Sequence, residues 1–211
     1  IEAKVFARDS KHVNLLLENK TKEPVLVSVP AAVGVVPVMA QFMPWPDDNQ
    51  QQNQQTQKVG ATPQFPWQNG GNRGQQGPWN IGAGPLFSIP PEDTVKVKLT
   101  GMCLDHGLPS PRAKLPYAIR PIHQVANCPE VAALCVMVGK GQVNREIAQL
   151  AAWHFQNELS WEDFAAMRKK VAVGIAPKYT AAELAAAKEV AKAAEEFAKQ
   201  MRTSDSTVSM R

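Results

Sequence analysis

Three cysteines are the residues of this chain whose chemistry is easiest to place. They are Cys103, Cys128 and Cys135. A disulfide from Cys103 to Cys135, or to Cys128 instead, would close a loop of about 25–30 residues and stabilise the fold by about 3 kcal/mol. Free thiols are the alternative, since a chain with so few cysteines need not contain any disulfide.

Metal binding has weak support. Cys103 and His106 have a C-x-x-H spacing, and His123 and His154 follow downstream. A zinc site needs four converging ligands, usually supplied as two closely spaced pairs. Because the sequence has only one such pair, we expect no metal site and no other cofactor.

Acid–base and nucleophilic catalysis also lack a suitable arrangement of residues. The paired carboxylates Asp47-Asp48 and Glu162-Asp163 lie in low-complexity sequence and in the first turn of a helix. Neither pair has an apolar pocket that would raise a carboxyl pKa. No G-x-S-x-G elbow and no glycine-rich phosphate loop is present. We therefore expect no catalytic residues and no enzymatic activity.

Two short motifs resemble those of the Cys–Gln thioester domains in bacterial surface adhesins. The first is Met102-Cys103-Leu104 and the second is the segment 147–153, Ile-Ala-Gln-Leu-Ala-Ala-Trp. The resemblance implies that the Cys103 thiol and the Gln149 side chain form an internal thioester that captures amines. This possibility stands beside the disulfide and the free thiols.

A broader resemblance covers about three quarters of the chain. The residues that carry it are Cys103-Leu104-Asp105-His106-Gly107, Pro116-Tyr117, segment 149–153 and Leu159-Ser160-Trp161-Glu162. They look like a group of exported planctomycete proteins of unknown function. The resemblance implies export to the bacterial surface or medium and a two-part architecture, and it supplies no activity.

The elements that would position these residues begin with strands. Apolar runs in residues 1–41 are separated by turn residues, and Thr94–Leu99 alternates lysines with aliphatic side chains. Six or seven strands of this kind, followed by the helices described below, predict an α+β protein. Its N-terminal part, residues 1–125, is expected to be an Ig-like β-sandwich.

Residues 43–84 form a Gln-, Gly-, Pro- and Trp-rich insertion in this predicted sandwich. Such a segment cannot bury enough apolar surface to fold alone. It contains Trp45, Trp67 and Trp79, each beside a proline. Because these rings lose little conformational entropy on docking, we expect them to bind a partner surface.

Helical periodicity replaces alternation after Asn127. Pro129, Asn144, Ser160 and a Thr180–Glu183 capping box predict the starts of four helices. The helical region is therefore expected to span residues 126–203, with a loose tail at 204–211. Alanines at three- and four-residue steps give the last helix a narrow seam for close packing.

The whole chain indicates an interaction protein rather than a nucleic-acid or membrane protein. The net charge is +4, but the basic residues are scattered among acids. No run approaches the ~20 apolar residues of a membrane span. We expect a secreted or cell-surface structural subunit that self-assembles into a filament or homo-oligomer, with other surface proteins as further partners. The alternative is a covalent adhesin built on Cys103 and Gln149.

Overall fold

The structure is a computed structural model that describes residues 1–38, 56–64, 86–172 and 174–208, the last of these with side chains as far as Met201. The strands are β1 (Glu2–Ala7), β2 (His12–Glu18), β3 (Val25–Ser28), β4 (Val33–Pro37), β5 (Val59–Gln64), β6 (Leu86–Ile89), β7 (Thr94–Cys103), β8 (Tyr117–Pro121), β9 (Arg168–Lys170) and β10 (Ile175–Pro177). The helices are α1 (Pro129–Gly139), α2 (Arg145–Asn157), α3 (Trp161–Ala166) and α4 (Ala181–Val208). A 3-10 turn, Ile122–Gln124, precedes α1.

Six antiparallel strands form a closed barrel in the order β1-β2-β7-β5-β4-β8. The protein is therefore α+β, but the predicted Ig-like sandwich is wrong. β8 pairs along β4 and also meets β1, where Val5 lies opposite Tyr117. This second pairing joins the two ends of one sheet, so a single curved sheet encloses the core.

The barrel interior is filled by the inward side chains of its strands. The buried members of this cluster include Val13, Leu15, Val35, Val59 and Leu99. In β7 burial alternates with the lysines, as the sequence predicted. The separate ribbon of β3 and β6 adds Ile89 to the same cluster.

The helices pack on the outside of the barrel wall. Residues Val131–Val138 of α1 are all buried, and this helix is the centre of a second hydrophobic core, which lies outside the barrel. Gly60 of β5 permits the close approach, because a Cβ there would lie 2.7 Å from the Cys135 Sγ. None of the helices in the described ranges is both long and apolar enough to cross a bilayer.

The predicted helix starts are confirmed. Pro129 opens α1, and the Asn144 side chain accepts hydrogen bonds from the second and third residues of α2. Ser160 forms a capping box with Asp163. The seam of α4 packs within the chain, where Ala191, Ala194 and Ala198 join the cluster built around α1.

Candidate functional site

The edge of β7 is only partly covered by a neighbouring strand. β2 pairs with β7 as far as His12 opposite Thr100, and one further bond joins the Gly101 N–H to the Lys11 carbonyl. β7 continues beyond this point to Cys103. A buried strand edge needs other partners for its main-chain polar groups.

The side chain of Gln149 takes the place of the missing strand. Its Oε1 accepts a hydrogen bond from the Cys103 main-chain N–H at 2.8 Å, and its Nε2 donates to the Cys103 carbonyl at 2.7 Å. Cys103 and Gln149 are 5% and 7% exposed. A primary amide has both the donor and the acceptor that these bonds need. The structure thus brings together the two residues of the thioester motifs.

One face of α2 runs along this strand edge. Residues spaced by four lie on the same face of a helix, and here they are Arg145, Gln149, Trp153 and Asn157. Arg145 Nε donates to the Gly101 carbonyl at 2.7 Å. At the other end, Asn157 Oδ1 accepts a hydrogen bond from the His106 N–H at 3.2 Å. The helix therefore covers the chain from Gly101 to His106.

The Cys103 side chain is on the face of β7 that lines the barrel, the same face on which Gly101 meets the turn between β1 and β2. Its register partner is Val59, a residue of the barrel core. Burial raises the pKa of the Cys103 thiol, while the Ser10 side chain and the positive charge of Arg145 oppose the rise. The rise prevails, so the thiol is protonated at neutral pH.

Arg145 joins the turn to the strand. Besides its bond to Gly101, a terminal nitrogen donates to the Ser10 carbonyl at 3.2 Å. The side chain is 14% exposed, and another of its nitrogens lies 3.7 Å from the Glu146 carboxylate. Burial lowers the pKa of Arg145, yet a guanidinium keeps its charge in proteins.

The other two cysteines lie in different surroundings. Cys135 is buried on α1 against Gly60, on the outer face of the barrel wall. Cys128 is half-buried at the start of α1. All three thiols are free in the structure, and the barrel wall lies between the Cys103 and Cys135 sulfurs. The disulfide pairings of the sequence stay predictions.

The His106 ring lies next to the ring of Trp153, a residue on the same face of α2 as Gln149. The two ring centroids are 4.7 Å apart, with the rings edge to face. Burial, and then the charge of Lys178, lower the pKa of His106. Lys178 Nζ lies 5.9 Å from the Trp153 ring centroid. Throughout the described ranges, no group of three His, Cys, Asp or Glu side chains is placed to hold a metal ion.

The remaining candidates are the paired carboxylates and the three tryptophans. Asp163 bonds to Ser160 in its capping box and is exposed. The predicted partner-binding residues Trp45, Trp67 and Trp79 lie outside the described residues, as does the Asp47-Asp48 pair.

Two residues of the site, Ser10 and Arg145, were missed by the sequence reasoning. Arg145 could have been found, because the Asn144 cap fixes the helical register and places Arg145 one turn before Gln149. Ser10 carried no signal, since it comes close to Gly101 and Arg145 only after β1 and β2 have paired. Comparisons with protein-family models, with curated proteins and with solved structures find no match to this chain.

Proposed function

We propose that this protein is a covalent attachment module, in which Cys103 and Gln149 form an internal thioester that captures primary amines on a partner surface. The observation that carries the proposal is the pair of hydrogen bonds between the Gln149 amide and the Cys103 main chain. These bonds hold the amide carbon, which would become the acyl carbon, against the residue whose sulfur would attack it.

The reaction balances without a cofactor. The Cys103 sulfur attacks Cδ of Gln149, the C–N bond breaks, and the amide nitrogen leaves as ammonia with the thiol proton. An incoming amine then attacks the same carbon, forms an amide bond and releases the thiol. Holding the Gln149 amide on the Cys103 main chain removes the need for an encounter step, which would lower the barrier to ring closure.

The hydrogen bonds also suit the charge that develops. Attack on Cδ turns Oε1 into an oxyanion, and the Cys103 N–H already donates to this oxygen at 2.8 Å. Main-chain donors placed in this way stabilise tetrahedral intermediates of acyl transfer. Since both residues are almost fully buried, the thioester would be sheltered from hydrolysis.

Intact mass spectrometry of the full chain tests the proposal. Formation of the thioester lowers the mass of the protein by one ammonia relative to the mass calculated from its sequence. Treatment with methylamine then raises the mass of the thioester form by one methylamine. Cys103→Ser and Gln149→Ala should abolish both changes. Gln156→Ala is the matched control, because Gln156 is a second buried glutamine of α2 that bonds to the Asn127 main chain. It should retain both changes.

A chain of full sequence mass that takes up no methylamine would refute the thioester. A mass lower by two hydrogens would instead identify a disulfide.

A covalent attachment module of the proposed kind would act outside the cell, which agrees with the export and bacterial surface location implied by the resemblances.

A second candidate is the self-assembling subunit, favoured by the ribbon of β3 and β6. This ribbon pairs with no further strand among the described residues. Its outward face carries Leu26 and Leu86, which are 65% and 66% exposed. Exposed apolar side chains on a two-stranded ribbon suit the docking of a second copy.

Light scattering tests this second candidate. Leu26→Lys with Leu86→Lys should reduce the particle mass of the wild-type assembly, as should deletion of residues 43–84. An oligomeric state unchanged by both variants, or a wild-type monomer at high concentration, would refute it.

A further inference from the structure

The hairpin of β9 and β10 carries a local excess of positive charge. Residues 164–182 include Arg168, Lys169, Lys170 and Lys178 but no Asp or Glu. All three residues of β9 are exposed, and none of the four cations forms an ion pair with a carboxylate in the described ranges. The mixing of basic with acidic residues seen in the rest of the chain therefore does not extend to this hairpin.

The tip of the hairpin is apolar and open to solvent. Ile175 is 72% exposed, more than any other large apolar side chain in the described ranges, and Val171 is 42% exposed. The Val171 N–H donates to the Gly174 carbonyl at 3.1 Å and so closes the turn. Gly174 has a φ of 88°, a left-handed conformation that glycine adopts without strain. The tight turn thus holds two branched aliphatic side chains at the tip rather than in a core.

Strand pairing places a lysine beside an aliphatic side chain on each face of the hairpin. Lys170 lies opposite Ile175, and opposite residues of an antiparallel pair share a face. Lys169 and Val171 lie on the other face, because residues two apart along a strand point the same way. In the part of the chain that the structure describes, β9 and β10 pair only with each other. Neither face is therefore covered by a further strand.

The base of the hairpin is fixed to the helical region. The Lys178 N–H donates to the Met167 carbonyl at 3.0 Å. The Arg168 guanidinium donates to the carbonyls of Ala165 and Met167, at 2.7 and 3.2 Å. These bonds occupy Arg168 at the end of α3, so Lys169 and Lys170 are the exposed cations nearest the tip.

Glu183, at the start of α4, is an acidic group that acts on this hairpin. The charge of Lys169 contributes to the lowered pKa of Glu183. Glu183 Oε2, however, accepts hydrogen bonds from the Thr180 N–H and hydroxyl, at 2.7 and 2.8 Å. Because these bonds hold the carboxylate at the helix start, both lysines stay available to a partner.

We infer that the β9–β10 hairpin docks on the surface of a bilayer that contains anionic lipids. Lys169 and Lys170 would pair with the headgroup phosphates, while Val171 and Ile175 would enter the boundary between headgroups and acyl chains. A strand rises about 3.3 Å per residue, so strands of this length reach roughly 10 Å, the depth to which surface-bound segments enter a bilayer.

The apolar tip favours a lipid surface over other polyanions. Proteins that bind single-stranded nucleic acids combine cations with aromatic rings on which the bases stack. The exposed side chains at this tip are aliphatic instead. The docking involves neither Cys103 nor Gln149, so it is independent of the proposed thioester.

Flotation of the full chain with vesicles tests the inference. One set of vesicles contains equal amounts of phosphatidylcholine and phosphatidylglycerol, and the other contains phosphatidylcholine alone. Wild type should float with the anionic set, and high salt should reduce the bound fraction because it screens the lysines. Wild type that stays unbound, or that binds both sets equally, would overturn the inference.

Two variants test the hairpin itself. Lys169→Gln with Lys170→Gln should weaken binding by roughly fivefold for each cation removed, the effect of a lysine near an anionic surface. Ile175→Ser should weaken binding by roughly tenfold to a hundredfold, because an apolar side chain no longer leaves water. Since all three positions are exposed, both variants should keep the circular dichroism spectrum of wild type.

Matched controls remove similar side chains elsewhere on the surface. Lys96→Gln with Lys98→Gln removes two exposed cations of β7, and Leu26→Gln removes an exposed aliphatic side chain of β3. Both should bind as wild type does, and an equal loss in either control would overturn the inference. Cys103→Ser should also bind normally, so a chain without a thioester refutes the proposed function and leaves the docking intact.

The same variants separate a lipid surface from a nucleic acid. Binding that is lost with the two lysines but unchanged by Ile175→Ser would identify a general polyanion site. Displacement of the protein from vesicles by single-stranded DNA would then confirm that reading. This outcome would overturn the lipid assignment, because it leaves the exposed apolar tip without a role.

Discussion

A Cβ placed on Gly101 would lie 2.7 Å from the carbonyl oxygen of Ser10 and 2.6 Å from the Val59 side chain. Glycine is required here by space rather than by backbone conformation. Its missing side chain lets the β1–β2 turn pack against this end of β7, where the Ser10 carbonyl accepts a hydrogen bond from Arg145.

Gly101→Ala should therefore destabilise the protein and displace Ser10. Forcing a methyl group into packed main chain typically costs about 1–3 kcal/mol. Urea unfolding followed by circular dichroism measures this cost, and Thr100→Ala, on the opposite face of the same strand, is the control. Equal stability of the Gly101→Ala variant and wild type would contradict the packing described here.

The local elements were predictable because their signals are local. Asn144, Ser160 and Thr180 each bond to main-chain groups within a few residues, so adjacent sequence is enough to identify them. The closure of the barrel was not predictable in this way. Alternating strands suit a sandwich and a barrel equally, and the difference depends on Val5 meeting Tyr117, more than a hundred residues apart.

The residues of the site likewise differ in whether the adjacent sequence is enough to identify them. Cys103 and Gln149 were named from motifs, and the helical register could have extended that prediction to Arg145, which was missed. Ser10 is ninety-three positions from Cys103 and belongs to no motif. Only the pairing of β1 with β2, and of β2 with β7, brings it to Gly101 and Arg145.

The three thiols of the opened or thioester-free chain should react in a fixed order. Cys128 should be alkylated first because it is the least buried. Cys135 should react last, since complete burial raises the pKa of its thiol to about 12. Timed iodoacetamide labelling with peptide mapping measures the order. Rapid labelling of Cys135 in the folded protein would show that α1 does not pack on β5 as described.

Acid should weaken the starts of α3 and α4 through their capping carboxylates. Hydrogen bonds with Ser160 lower the pKa of Asp163, and bonds with Thr180 lower that of Glu183. A lowered pKa contributes stability that is present above the unfolded values, 3.8 and 4.5, and is lost as pH falls through the folded values.

Urea midpoints measured from neutral to acidic pH check this dependence. The double variant Asp163→Asn with Glu183→Gln should show a flatter acid limb than wild type. Glu162→Gln, which removes a carboxylate outside the capping box, is the control. Parallel acid limbs in wild type and the double variant would show that the two capping boxes contribute nothing.

His106 should titrate below its ordinary pKa of 6.5, because burial disfavours its cationic form and Lys178 repels it. The unfolded chain then binds the proton more readily, so stability should fall as pH drops from 6.5 through the lower folded value. Lys178→Met should raise the His106 midpoint only in part, since burial is the larger cause. Imidazole proton shifts in NMR spectra measure the midpoint. Lys188→Met is the matched control, because Lys188 lies over Trp161 instead. A wild-type midpoint at or above 6.5, or one unmoved by Lys178→Met, would place His106 outside the Trp153 and Lys178 contacts described here.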